Sequence, residues 1–319
     1  MEVPPPPLPP PISSGSMTRQ EMTQPKLLNE GGSEKRRVLV MHTGGTMGMT
    51  STSNGALAPT AGALSPRLEK LEELGLKRMP QCFFVEFDPL LDSADMCPTD
   101  WNAIAKVIHD MYYDFDGFVI IHGTDTMAYT ASALSFMLEQ LAKPVLLTGA
   151  QLPCFEPLSD ARQNFLTSVA FAGLADISEV CIFFHDRLIR GNRSSKVDAS
   201  SLQAFRSPAF PNLAEMGVEI KLHKQHLRRP PTGRFRLQTI SVTEIMVVWV
   251  IPGFTDSFLE PLVESGTLRG MVLLLYGCGN APAKKKNFLV QLQQLVANGV
   301  VVVACSQCMM GSVVLEKYA

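Results

Sequence analysis

Residues 36–48 read RRVLVMHTGGTMG: an apolar run, Val38–Met41, that stops on a polar turn containing two adjacent glycines. A short apolar run closed by glycine is the pattern of a buried strand handing over to a loop. Apolar runs of similar length recur at CFFVEF (82–87), FVIIHG (118–123), PVLLTG (144–149) and VCIFFH (180–185), the middle two again closed by glycine. The stretches between carry helical spacing. In TMAYTASALSFMLEQLA (126–142), Leu134, Met137, Leu138 and Leu141 recur every three or four residues, and DARQNFLTSVAFAGLA (160–175) opens on Asp160 as a candidate N-cap. Such alternation predicts an α/β fold with a parallel sheet and crossover helices.

The pattern divides the chain. A larger N-terminal parallel-sheet α/β domain is expected over 37–220. The basic, proline-bearing stretch KLHKQHLRRPPTGRF (221–235) reads as a linker. A smaller C-terminal α/β domain follows over 236–319, with strands in EIMVVWVIPG, GMVLLLYG and VVVVACSQC and helices at 256–265 and 284–298. Its last expected strand lies close to Ala319, so this domain is expected to be incomplete. Residues 1–36 begin MEVPPPPLPPPISSG and read as a disordered tail, a solvated spacer with polyproline recognition as the alternative.

Composition narrows the function. The 319 residues are 46% hydrophobic, enough for about two domain cores, and a net charge of −2 supplies no basic field for nucleic acid. Seven scattered cysteines lack the density of a disulfide scaffold, and the apolar runs are strand-length, so a reduced, cytoplasmic protein with no membrane partner is expected. CSQC (305–308) has redox-pair spacing but follows a late strand, which favours plain thiols.

Three polar glycine turns end expected strands: Thr43–Thr46, Gly123–Thr126 and Thr148–Gln151. Ligands of parallel sheets bind at that edge. HTGGTMG fits neither phosphate-loop pattern, G-x-x-x-x-G-K-[ST] or G-x-G-x-x-G. Its remaining readings are a turn whose threonines satisfy local backbone, or a hydroxyl nucleophile approached closely through Gly44 and Gly45. HGTDT sets Thr124 beside Asp125, and RGNRSSKVDA offers Lys196 as a third member of a proton relay, with Arg190 and Arg193 competing. His42 and His122 read as packed histidines rather than metal ligands, since no zinc-like spacing accompanies them. Ser93 in DSADM reads either as a turn cap or as a substrate contact, and Asp95 as a partner for an ammonium group.

Taken in order, TGGTMG, DSADM, HGTDTMAYTASALSFML, LTGAQLP, DARQNF and RGNRSSKVDA resemble the asparaginase/glutaminase family, and within it the cytosolic type I group that includes animal forms named as lysophospholipases. The resemblance runs from about Val38 to the chain end. It implies an L-asparagine amidohydrolase, a homodimer or dimer of dimers, with no metal or organic cofactor. It further implies Thr46 as nucleophile, Thr124, Asp125 and Lys196 as a second triad, and Ser93, Asp125, Gly45 and Gly123 around the substrate. Asn280, in GCGN, would reach a neighbouring subunit's site. Many members carry a tyrosine on the loop after the first threonine; here none occurs between Thr46 and Tyr112, and Tyr318 is the candidate near the chain end. The alternative is a catalytically silent member acting as a binding or regulatory protein.

Overall fold

The computed structural model describes residues 21–29, 36–241, 243–282 and 284–311. Ten strands form the main sheet: β1 (Glu21–Met22), β2 (Lys26–Asn29), β3 (Arg37–Gly44), β4 (Gln81–Leu91), β5 (Gly117–Ile121), β6 (Val145–Thr148), β7 (Val180–Phe184), β8 (Arg187–Arg190), β9 (Ala214–Met216) and β10 (Ile220–Leu222). The central order is β4-β3-β5-β6-β7, all parallel. Antiparallel strands extend it on both sides: β1 and β2 on β4, and β8, β9 and β10 in succession after β7.

Alternation along β3 explains why both faces are covered. Val38 and Val40 pack with Phe165 and Val169 of α3 (Ala161–Leu174), while Leu39 and Met41 pack on the other face. That second face is closed by Ile104 and Ile108 of α1 (Pro98–Asp110) and Leu134 of α2 (Met127–Met137). A two-sided core makes each central strand continuously apolar, the feature legible in the sequence.

The second domain has three parallel strands, β11 (Ile245–Trp249), β12 (Gly270–Leu275) and β13 (Val301–Ser306), in that order. Helices α4 (Leu259–Ser265) and α5 (Lys286–Ala297) cover one face, where Met271, Leu273, Leu259, Phe288 and Leu295 form the core. No helix among the described residues is long and apolar enough to cross a membrane.

Three expectations need correction. Within the expected tail, residues 21–29 include two strands, because Leu28 buries against the core and Asn29 Oδ1 accepts the Cys82 N–H at 2.8 Å. Averaging composition over residues 1–36 hid that local edge pairing; the proline run itself lies outside the described residues. The second correction concerns α2, which stops at Met137 rather than near 142, since Leu138–Glu139 pairs with Arg236–Leu237. Finally, the 221–235 stretch is not a free linker: β10 lies in the first sheet, the Arg228 N–H reaches Glu179 at 2.9 Å, and Phe235 stacks on Tyr112 at 3.7 Å. Ile240 exchanges two hydrogen bonds with the Asn102 side chain, so the first domain holds the chain to about residue 240.

Phe118 on β5 is fully buried between the central strands and α1. Truncating it to alanine is expected to cost about 3–5 kcal/mol in urea-induced unfolding, as for large aromatic deletions in packed cores. A loss below about 1 kcal/mol would show that the sheet's second face is not the core described.

Candidate active site

Four segments meet at the carboxyl end of the parallel strands. β3 runs into Gly44 and Gly45, then a single 3₁₀ turn, Thr46–Gly48. β5 leads into Gly123–Asp125, β4 into the 3₁₀ turn Ser93–Asp95, and β6 into Gly149–Gln151.

The glycines decide how closely these turns approach. Gly45 has φ 91°, and a Cβ there would lie 2.4 Å from the Gly123 backbone nitrogen. A Cβ on Gly123 would in turn lie 2.5 Å from Ser93 Oγ. Any side chain at either glycine would therefore drive the three turns apart. Thr46 and Thr124 each follow one of these apposed glycines, so both leave the sheet edge from the same close contact. Thr126 Oγ1 donates to the Ser93 carbonyl at 2.6 Å and locks the β4 turn to the β5 turn.

The hydroxyls separate by role. Thr43 is buried and donates to the Ile121 carbonyl at 3.0 Å, and Thr148 donates to the Phe183 carbonyl at 3.0 Å. Both are structural. Thr46 is half-buried, and among the described residues its hydroxyl has no hydrogen-bond partner. Thr124, 7% exposed, accepts from Lys196 Nζ at 2.9 Å. The same ammonium donates to Asp125 Oδ1 at 2.6 Å. Lys196 sits on a two-residue strand, Ser195–Lys196, paired with Phe205–Arg206. Beside Asp125 and Lys196 a cleft of about 880 Å³ opens between the domains, walled opposite by Trp249, Leu274 and Gln307.

The two competing cations are placed elsewhere. Arg190 is bidentate on buried Glu179 at 2.5 and 3.2 Å, and Arg193 is exposed. Asp95 is exposed at the end of its turn, and its side chain makes no hydrogen bond to Thr46 or Thr124. Ser93 does not cap that turn; Asp92 does, accepting the Ala94 N–H at 3.0 Å. Asn280 is exposed on a turn of the second domain closed by the Tyr276–Asn280 bridge and is not among the residues lining the cleft. Tyr318 lies outside the described residues.

Two residues that the sequence offered only as a turn end and a packed histidine are supports of the site. Gln151 Nε2 donates to the Ser201 carbonyl at 3.1 Å and so ties the Lys196 loop to the β6 turn. Its own N–H is held by Asp160 at 3.0 Å. Its place in LTGAQLP, at the same sheet edge as HGTDT, was the available signal. His122 is wholly buried beneath Gly123. A carbonyl only accepts, so Nδ1–H donates to Gly123 O at 2.7 Å, and Nε2 takes the Thr130 hydroxyl proton at 2.8 Å. Trp101 Nε1 donates to the same hydroxyl at 3.0 Å. Burial, opposed by the Gly123 bond, lowers the His122 pKa to about 4, so the ring stays neutral.

Comparison with known proteins identifies the family. Residues 37–228 match the family model for the asparaginase N-terminal domain, and 244–319 match the glutaminase/asparaginase C-terminal domain. L-asparaginase 1 of Escherichia coli K12 is 42% identical over 290 residues, covering 90% of this chain and 84% of the relative. The 60 kDa lysophospholipase of Mus musculus is 38% identical over 302 residues, covering 88% of this chain and 53% of that protein. The crystal structure of L-asparaginase I from Vibrio cholerae superposes with a TM-score of 0.81 at 40% identity, over 88% of this chain and 84% of that one.

His122 gives a pH prediction. Its folded pKa lies below the unfolded value, so the stability it confers is complete above about pH 6.5 and is lost as pH falls toward 4. His122→Gln should flatten the pH dependence of unfolding in that window by up to about 3 kcal/mol. An unchanged slope in pH-resolved denaturation would contradict a neutral buried ring.

Proposed function

The chain belongs to the asparaginase/glutaminase family, and from that premise we propose that it hydrolyses L-asparagine to L-aspartate and ammonia with Thr46 as the nucleophile. One observation supports the reading: Gly45 lies against Gly123, and the residue after each is a threonine, one with an unpartnered hydroxyl and the other held, with Asp125, by Lys196. Relatives named L-asparaginase support the substrate.

In this reading the Thr46 oxygen attacks the side-chain amide carbon, forming a C–O bond, while its proton passes to the amide nitrogen. Ammonia leaves as the C–N bond breaks. Water then attacks the resulting ester, the C–O bond to Thr46 breaks, the hydroxyl proton returns, and aspartate is released. Thr124, Lys196 and Asp125 orient the attacking species and move the proton. Ser93 Oγ, unpartnered among the described residues, and Asp125 hold the α-carboxylate and α-ammonium. Clamping the amino-acid end is what makes attack effectively intramolecular. Asp95 has no assigned contact here. A second copy completes the site through Asn280, whose exposed position on the second domain suits an intersubunit reach.

Ammonia release from L-asparagine by the full chain should fall on the order of a thousand-fold or more in Thr46→Ala, and comparably in Thr124→Ala. Lys196→Met should lower kcat more than it raises KM. Turnover that survives Thr46→Ala would reject the nucleophile assignment. A wild-type chain that binds asparagine without releasing ammonia would instead favour a silent binding protein.

A further inference from the structure

His42 has no part in the chemistry above, although it stands four residues before Thr46. Its ring is wholly buried and lies directly under the Thr46–Gly48 turn: a Cβ on Gly48 would fall 2.6 Å from both Cε1 and Nε2 of His42. His42 Nδ1 is 2.9 Å from Oε2 of Glu86 on β4, a side chain only 9% exposed. The other carboxylate oxygen accepts the Gly62 N–H at 2.7 Å. Burial raises the Glu86 pKa, but the bonds from His42 and Gly62 outweigh it and hold the group below the usual carboxylate range. Glu86 is therefore an anion at neutral pH, and Nδ1 is the donor. Among the described residues, His42 Nε2 has no partner and faces the turn.

The chain between these contacts forms a flap. After Gly48 it makes a small hairpin, Met49–Ser51 paired with Leu57–Pro59, whose ends are joined by a Thr50–Thr60 hydroxyl bond at 2.6 Å. Gly62 is the second residue past that bond. One buried carboxylate thus holds both ends of segment 46–62: the return limb through Gly62 directly, and the floor of the Thr46 turn through His42. Burying an ion and an imidazole here carries a desolvation cost that apolar residues, such as Val38 and Val40 on the same face, would not.

We infer that the His42–Glu86 pair positions the nucleophile, setting the height of the turn that carries Thr46 and anchoring the hairpin that follows it. The catalytic part of this inference rests on Thr46 acting as proposed. The pair touches neither substrate nor reacting atoms, so its effect is on geometry.

The test compares Glu86→Ala and His42→Asn with the wild-type full chain, reading kinetics, melting temperature and hydrogen exchange. His42→Asn keeps an amide donor near the Nδ1 position and is the conservative variant. Glu86→Ala should lower kcat by about 10–100-fold, the scale of a 1 Å misplacement. KM should stay within about threefold. His42→Asn, which leaves Glu86 a donor, should lose less. In Glu86→Ala, amides of 46–63 should exchange faster while those of β3 and β5 stay protected. Unchanged kcat with 46–63 still protected would overturn the inference. So would a loss matched by exchange across the whole sheet, since that is general destabilisation. Turnover retained in Thr46→Ala would remove the nucleophile reading alone; the exchange experiment would still decide whether the pair fastens segment 46–63.

Discussion

The site depends on the near-contact of two backbones at the carboxyl edge of the parallel sheet, where Gly45 lies against Gly123 with no room for a Cβ. Parallel strands end in register, so β3 and β5 deliver their turns side by side. Glycine alone lets those turns close to van der Waals contact. Each turn then continues with a threonine. The arrangement therefore follows from the strand order first and from two missing side chains second, and the hydroxyls inherit their positions from both.

Such an edge needs rigid support, and the structure supplies it with buried polar groups hydrogen-bonded to one another. His122 bridges Gly123 and Thr130, with Trp101 completing the hydroxyl's bonding. Asp160 holds the backbone of Gln151 and Leu152, and Asn164 donates to the Gly149 carbonyl at 3.0 Å. Glu86 joins His42 to Gly62. Each network lies behind a turn rather than in the crevice. The penalty for burying polar atoms there is offset by their partners, and the gain is a fixed backbone at the crevice rim.

Much of this was legible in the sequence because it is local. A two-sided parallel core makes β3, β5, β6 and β7 short uninterrupted apolar runs, and the turns after them carry glycine, threonine and aspartate in plain view. The pairing of Lys196 with Thr124 and Asp125 joins residues 72 and 71 positions apart; residue chemistry offered Lys196 beside Arg190 and Arg193, and the family's motifs singled it out. Contacts with no local signature stayed hidden. Leu28 seeking a sheet edge, Leu138 leaving its helix for a strand, and Glu86 reaching His42 across 44 residues all depend on what the fold places opposite them. The basic stretch at 221–235 misled because its charges sit on a segment fastened to the first domain by Glu179 and Tyr112.

The central claim is that the apposed turns present Thr46, and not Thr124, to the substrate. Rapid acid quenching during turnover of L-asparagine, followed by peptide mass spectrometry, tests it directly. An aspartyl ester on the peptide bearing Thr46 is the predicted result; the same adduct on the peptide bearing Thr124 would contradict the account.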